Sequence, residues 1–349
     1  MRRTVGVFLV ALVGCALTGG LSKDQPPGEK RLKNVRRLTA GGENAEAYFS
    51  AGGKQLIFQS TRDGSACDQI YVMGIDGSGV QRVSTGKGRT TCSYFMPDGA
   101  RIVYASTHLA GDDCPPAPER RAGGRYVWPV YKSYDIFSAK PDGSDLKRLT
   151  ETDGYDAEAT ASPDGQWIVF TSVRDGDLDL YVMKPDGSSV RRVTSEPGYD
   201  GGAFFSPDSK RLCFRASRPK AGEELESYQK LLKEELVEPS HLEIFVVNVD
   251  GTGLKQVTRN GAANFCPFFH PSGRKLIYAS NHLNPRGYNF DLFLVDVETG
   301  VEEQVTVDPT FDAFPMFSPD GKKLVWGSNR QPDPGHERDT NIFIADWVE

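Results

Sequence analysis

A chain of 349 residues, 38% hydrophobic and 25% charged, carries enough apolar material for a buried core and falls outside disordered or collagen-like compositions. Its formal charge of −6 leaves no basic footprint, which excludes nucleic acid as a partner class. With 37 glycines and 22 prolines, many turns between short strands are expected.

The first segment reads as an address. Met1-Arg2-Arg3 is a short basic start, and Val5 to Val13 is an apolar run of about nine residues, whereas a membrane-crossing helix needs about 20. The run fits the apolar region of a secretory signal. Leu12-Val13-Gly14-Cys15 resembles the bacterial lipobox, which implies lipidation of Cys15; ordinary cleavage nearby, with Cys15 discarded, is the alternative. Ala16, and not aspartate, follows the cysteine, which under enterobacterial-type sorting implies the outer membrane. Residues 1–14 are thus read as a signal peptide and 15–31, with Gly19-Gly20 and Gln25-Pro26-Pro27-Gly28, as a lipidated flexible tether. The expected protein is exported, periplasmic or at the cell surface, and touches membrane through its lipid anchor only.

From about residue 34 one unit recurs. Its marker is Ser162-Pro163-Asp164-Gly165, with copies at Ser206-Pro207-Asp208-Ser209 and Ser318-Pro319-Asp320-Gly321 and weaker ones at Ser50, Met96 and His270. Proline presets φ and glycine accepts positive φ, so each copy is a tight turn. An apolar run follows each turn, as in Ile168-Val169-Phe170, then a second such as Leu180-Tyr181-Val182. An Asp-Gly turn comes next in most units (Asp76, Asp142, Asp186, Asp250), then a closing strand such as Arg191-Arg192-Val193-Thr194. Four short strands per unit cannot bury both faces alone, and stacking around an axis solves that problem. The expected fold is all-β: a six-bladed propeller over residues 32–349 with four-stranded antiparallel blades. The last unit stops after its third strand, and Asn34-Val35-Arg36-Arg37-Leu38-Thr39 matches the missing fourth, so the N-terminal strand should close the last blade.

Counting back from each turn proline gives rings of equivalent positions. Seven residues before it stand Asn44, Thr90, Asp156, Asp200, Asn264 and Asp312; five before it stand Glu46, Cys92, Glu158, Gly202, Cys266 and Phe314. Strand side chains two apart share a side, so both rings are expected at the mouth of the central channel. Converging carboxylates repel unless a cation intervenes, and calcium or another divalent cation is the candidate. A recurring cation (Arg62, His108, Arg174, Arg218, His282, Arg330) and a recurring acid or amide near the third strand read mainly as a structural clamp. His108 and His282 fall in opposed blades, where they could share a central ligand or metal, while His241, His270 and His336 read as loop or turn residues.

Two insertions individualise the chain, both between strands two and three. In blade two, residues 109–133 include Tyr126 and Trp128; in blade four, Gly222 to Glu238 reads as an amphipathic helix with Leu225, Tyr228, Leu231, Leu232 and Leu236 at helical spacing. They either pack onto the blades or wall a cleft. Among Cys67, Cys92 and Cys114 one disulfide is expected, Cys92–Cys114 or Cys67–Cys114; Cys213 and Cys266 should stay reduced.

The run of Leu-Thr, Ser-Pro-Asp-Gly-Lys, an apolar strand with Ser-x-Arg, an apolar third strand and Asp-Gly-Ser resembles the propeller repeat of TolB, the periplasmic component of the Tol-Pal envelope system. The resemblance covers residues 34–349 and implies the fold. TolB carries a further α/β domain before its propeller, which residues 16–31 are too few to encode. No Gly-x-Ser-x-Gly elbow is present, which removes the serine peptidase reading. The leading expectation is a non-catalytic envelope scaffold, a monomer presenting Glu46, Asp156, Glu158, Asp200, Asn264, Asp312, His108, His282, Tyr126 and Trp128 to an envelope protein, peptide or glycan. The alternative is a metal-assisted lyase or hydrolase of an acidic polysaccharide, similar to propeller uronate lyases, with His108 and His282 as ligands and Glu158 or Asp156 as base.

Overall fold

The computed structural model describes residues 28–119, 126–285 and 287–349. Six four-stranded antiparallel sheets form the blades, and the insertions add a two-stranded ribbon. Blade three shows the plan: an inner strand Asp156–Ala161, then Ile168–Ser172, Asp179–Met183 and an outer strand Arg191–Arg192. Its second strand pairs in unbroken register with the third, Ile168 opposite Met183 and Ser172 opposite Asp179. Short aromatic and β-branched strands of this kind are fully buried because each sheet is covered on both faces by neighbouring blades.

The turns behave as their residues dictate. Gly165 takes φ 70°, Ser162 Oγ donates to Asp164 Oδ1 at 2.6 Å, and Ser209 holds the left-handed position, φ 60°, that glycine fills elsewhere. The Asp-Gly glycines do a second job. A Cβ on Gly77, Gly143, Gly187 or Gly251 would press on the carbonyl of Leu38, Val83, Leu149 or Val193, on the preceding blade in each case. Glycine there lets one blade's hairpin sit against its neighbour.

Closure is as expected. Leu32–Arg37 is the fourth strand of blade six, with Leu32 opposite Trp347 and Arg37 opposite Phe343. Leu38 N donates to Ile342 O at 2.7 Å, and Arg37 pairs with Asp333. Docking begins earlier than the expected boundary at residue 32. Glu29 is buried, its carboxylate between Arg330 at 3.1 Å and the Val307 amide at 3.2 Å, and Arg31 pairs with Glu303 at 2.7 Å. The expected signal and residues 15–27 of the expected tether, Cys15 included, lie outside the described residues, whereas 28–31 are docked on the propeller.

Blade four's insertion corrects the expected helix. The helix is Glu223–Lys233, whereas Leu236 and Val237 form a short strand pairing with Trp128–Pro129 of the other insertion. None of the helix residues is fully buried, so it lies on the surface and is held by half-buried Leu225, Tyr228, Leu231 and Leu232. Tyr228 OH donates to Asp177 Oδ1 at 2.5 Å. Leu236 is buried in the ribbon, out of the helical stripe its spacing suggested.

Candidate binding face and central channel

The starts of the inner strands and the ends of the second strands share one side of the ring, and both insertions rise from it; we call this the insertion face. On it Cys67 of blade one is joined to Cys114 of blade two, one of the two expected pairings, while Cys92, Cys213 and Cys266 are free thiols.

The two rings of inner-strand residues do not point the same way. Every inner strand carries a bulge, as between Ala157 and Thr160, and the residue five before the turn takes positive φ: Glu46 53°, Cys92 51°, Glu158 59°, Gly202 59°, Cys266 51°, Phe314 56°. A bulge breaks the two-residue alternation on which the shared placement rested. Asn44, Thr90, Asp156, Asp200, Asn264 and Asp312 are therefore wholly buried inside the blades. Asp156 is held by Arg174 at 3.0 Å, Asp312 by Arg330 at 2.7 Å, Asp200 by Arg218, and Asn44 accepts from Arg62 at 3.2 Å. Each arginine also stacks on blade aromatics, Arg174 at 5.0 Å from the centre of Phe170. Burial pushes the Asp200 carboxyl up to about 7 against the pull of Arg218.

His108 and His282 occupy the arginine position in blades two and five. Each ring lies on a third-strand phenylalanine, His108 on Phe137 at 4.4 Å and His282 on Phe293 at 4.3 Å. Each Nδ1 sits at a second-strand serine, Ser106 at 2.8 Å and Ser280 at 3.0 Å. They are short versions of the clamp, committed within separate blades, and do not fit a shared ion. His282 also faces Glu302 at 3.3 Å in a cleft of about 270 Å³ between blades four and five, bordered by Val257, Arg259, Asn260 and Gly300.

The second ring does line the channel. At its centre is Arg215, from the one second strand that places a charge at this position; the counterparts are Gln59, Ala105, Thr171, Ala279 and Gly327. Gly202 makes the room, since a Cβ there would overlap Arg215 Nη1, and one on Gly201 would overlap Glu158 and Tyr199. Arg215 pairs with Glu158, lies 2.6 Å from Tyr199 OH and stacks at 5.2 Å under Trp128. Glu158 further accepts from Thr171 Oγ1 at 2.7 Å, Tyr199 OH at 2.9 Å and Gly202 N at 2.8 Å. A carboxylate with that many donors is a structural acceptor and is poorly placed to serve as a base. Glu46, half-buried, differs: burial pushes its carboxyl up to about 7, moderated by the Cys92 thiol and Arg215 and reinforced by Glu158.

Both ends of this chamber are covered. Three residues before the turns, Tyr48, Tyr94, Phe204 and Phe268 form an aromatic plug with ring centres 5.3 to 6.0 Å apart. On the insertion face the ribbon crosses the mouth, with Trp128 against Phe265 at 5.2 Å and Val130 N donating to Glu235 O at 2.8 Å. Tyr126 stands clear of it, 67% exposed. Neither Arg215, Tyr199 nor the plug figured in the sequence reading of the channel; the signal for Arg215 was an arginine inside an otherwise apolar strand.

The TolB beta propeller domain family matches residues 130–231. A TolB-type protein from Agrobacterium tumefaciens superposes over 90% of this chain and 97% of its own, at TM-score 0.58 and 18% identity. The chain has a TolB-like β-propeller fold. TolB from Acinetobacter baumannii aligns over 87% of the chain and 64% of its own length, at TM-score 0.55 and 18% identity. By sequence, a TolB homologue of Chlorobium luteolum is 24% identical over 148 residues, 37% of this chain, and the match spans 34% of that protein. The chain thus spans about a third of that relative's length. An oligogalacturonate lyase of Vibrio parahaemolyticus shares the fold over 91% of this TolB-like propeller and 94% of its own chain, at TM-score 0.52 and 14% identity. One oligogalacturonate lyase structure contains manganese. Among the described residues of the TolB-like propeller, no three His, Cys, Asp or Glu side chains gather to hold a metal ion.

Proposed function

We propose that this TolB-like propeller is an exported, Cys15-lipidated scaffold of the cell envelope whose insertion face binds a protein, peptide or glycan. The observation that carries the reading is where the large apolar side chains break the surface. Val80, Leu146, Val190, Leu254 and Val301 recur once in each of blades one to five just before the outer strand, as a product of the repeat. Among the described residues the remaining four, Leu109, Tyr126, Leu283 and Tyr288, all belong to loops of the insertion face, and Tyr288 is 92% exposed. Exposed aromatics on a rigid support suit recognition. For Leu109 and Tyr126 the ribbon and the Cys67–Cys114 bond supply that support.

The test is a photo-crosslinking amino acid at position 126 or 288, against position 190 as control. Adducts with an envelope component are expected at 126 and 288 only; equal labelling at 190 would sink the reading. Acylation is read from the mass of the Cys15 peptide.

The alternative, a metal-assisted lyase or hydrolase, is supported by likeness of fold to oligogalacturonate lyases. Its two histidines are committed to separate blades. A channel calcium would rest on Glu46, since Asp156, Glu158, Asp200 and Asp312 are already held by arginines.

A further inference from the structure

We infer that the buried Glu29–Arg330–Asp312 cluster is a latch that makes the N-terminal segment leave the propeller on the insertion face, so that this face is turned toward whatever anchors the chain. The orientation rests on the lipidated reading above; the routing does not.

The argument is one of position along the chain. Leu32 pairs with Trp347, the last residue of the third strand in blade six, and Val348 N donates to Arg31 O at 2.8 Å. Trp347 N in turn donates to Lys322 O at 2.8 Å, in the hairpin after Ser318. Residues 31–32 therefore lie at the turn side of the ring. A closing strand that simply began there would release the preceding chain on the side away from the insertions.

Residues 28 and 29 carry it back. The Glu29 carboxylate accepts from Val307 N at 3.2 Å and takes both Arg330 Nη atoms at 3.1 Å. Val307 lies in the connection entering the inner strand of blade six, and Arg330 in the loop between its second and third strands. Both segments belong to the insertion face. A Cβ on Gly28 would lie 3.3 Å from Val307, so the chain is already against this rim when it enters the described structure. The Glu29 side chain is wholly inaccessible, as is Asp312. A surface crossing of the groove would need no such buried carboxylate.

Geometry gives the latch its consequence. Thirteen residue steps separate Cys15 from Gly28, a reach of at most about 45 Å. A six-residue inner strand is itself about 20 Å long. A chain entering at the insertion face need not cross that length, so this is the face an anchor draws toward the bilayer. The partner fitted to the insertion face is one attached to, or lying against, the same membrane.

Spin labels on the full chain test the routing, with Gln25→Cys paired in turn with Leu283→Cys on the insertion face and Lys322→Cys on the turn side. The 25–283 distance is expected to be the shorter, and Glu29→Gln to lengthen it while shortening 25–322. A shorter 25–322 distance in the unaltered latch overturns the inference, and this comparison stands even if the Glu29 variant folds poorly. With acylated protein on vesicles carrying a headgroup quencher, a fluorophore at 283 should be quenched at least twofold more than one at 322. Absence of acyl chains on Cys15 would remove the anchored reading and leave the routing distances to be judged alone.

Discussion

Gly202 shows how one missing side chain can organise a channel. Its left-handed φ and its lack of a Cβ are both needed for Arg215 to reach Glu158. Gly202→Ala should therefore displace the guanidinium and lose about 3 kcal/mol or more, the usual cost of breaking a buried ion pair. Urea unfolding measures this, and a change within about 0.5 kcal/mol would show that the room is not required. Glu46 is the titrating counterpart. Its carboxyl is raised to about 7 in the folded chain, so between roughly pH 4.5 and 7 the folded state holds a proton that the unfolded state has released. Stability contributed by this group is present below that window and lost as pH rises through it. Thermal melts at pH 5 and pH 8 should differ less in Glu46→Gln than in the unaltered protein; equal differences would mean that Glu46 does not titrate there. Asp200, also raised to about 7, adds a slope of the same sign that the comparison cancels.

At the scale of elements, the strands were the readable part. Every Ser-Pro-Asp-Gly variant proved a turn, and each apolar run after it a second strand, because tight turns and short apolar runs depend on local residues. The insertions were less legible. Helical spacing over Gly222 to Glu238 correctly gave a helix as far as Lys233, but Leu236 and Val237 found strand partners more than a hundred residues away. A tertiary contact of that kind leaves no local periodicity. The channel residues escaped for a related reason: a bulge in each inner strand shifts one ring inward and the other into the blades, and the two-residue count cannot register it. The cysteines were narrowed to two pairings, and Cys67–Cys114 formed while Cys92 faces the channel. Losing that bond through Cys114→Ser should cost about 2–4 kcal/mol, and a reductant should bring the unaltered protein to the same melting point. A melt indifferent to reductant would contradict it.

For the whole molecule, closure was foreseen from a unit that ended one strand short and a start that supplied it. Deleting residues 32–39 removes the Leu32–Arg37 ladder and leaves the third strand of blade six as an open edge, so the melt should fall by about ten degrees or more. An unchanged melt would mean that blade six stands without its outer strand. A ring has no end at which to fray, so partial opening must start at a junction between blades. Four junctions have a hairpin glycine pressed to the neighbouring carbonyl, but in blade five the longer Asp296–Gly300 hairpin draws Gly300 away until nothing lies within 4 Å of it. The cleft holding His282 is the space so left. Of the five junctions closed by such a hairpin, this is the one left without the contact, so amide exchange should spread outward from the seam between blades four and five, with Lys255–Gln256 losing protection before the matching strand Arg191–Arg192.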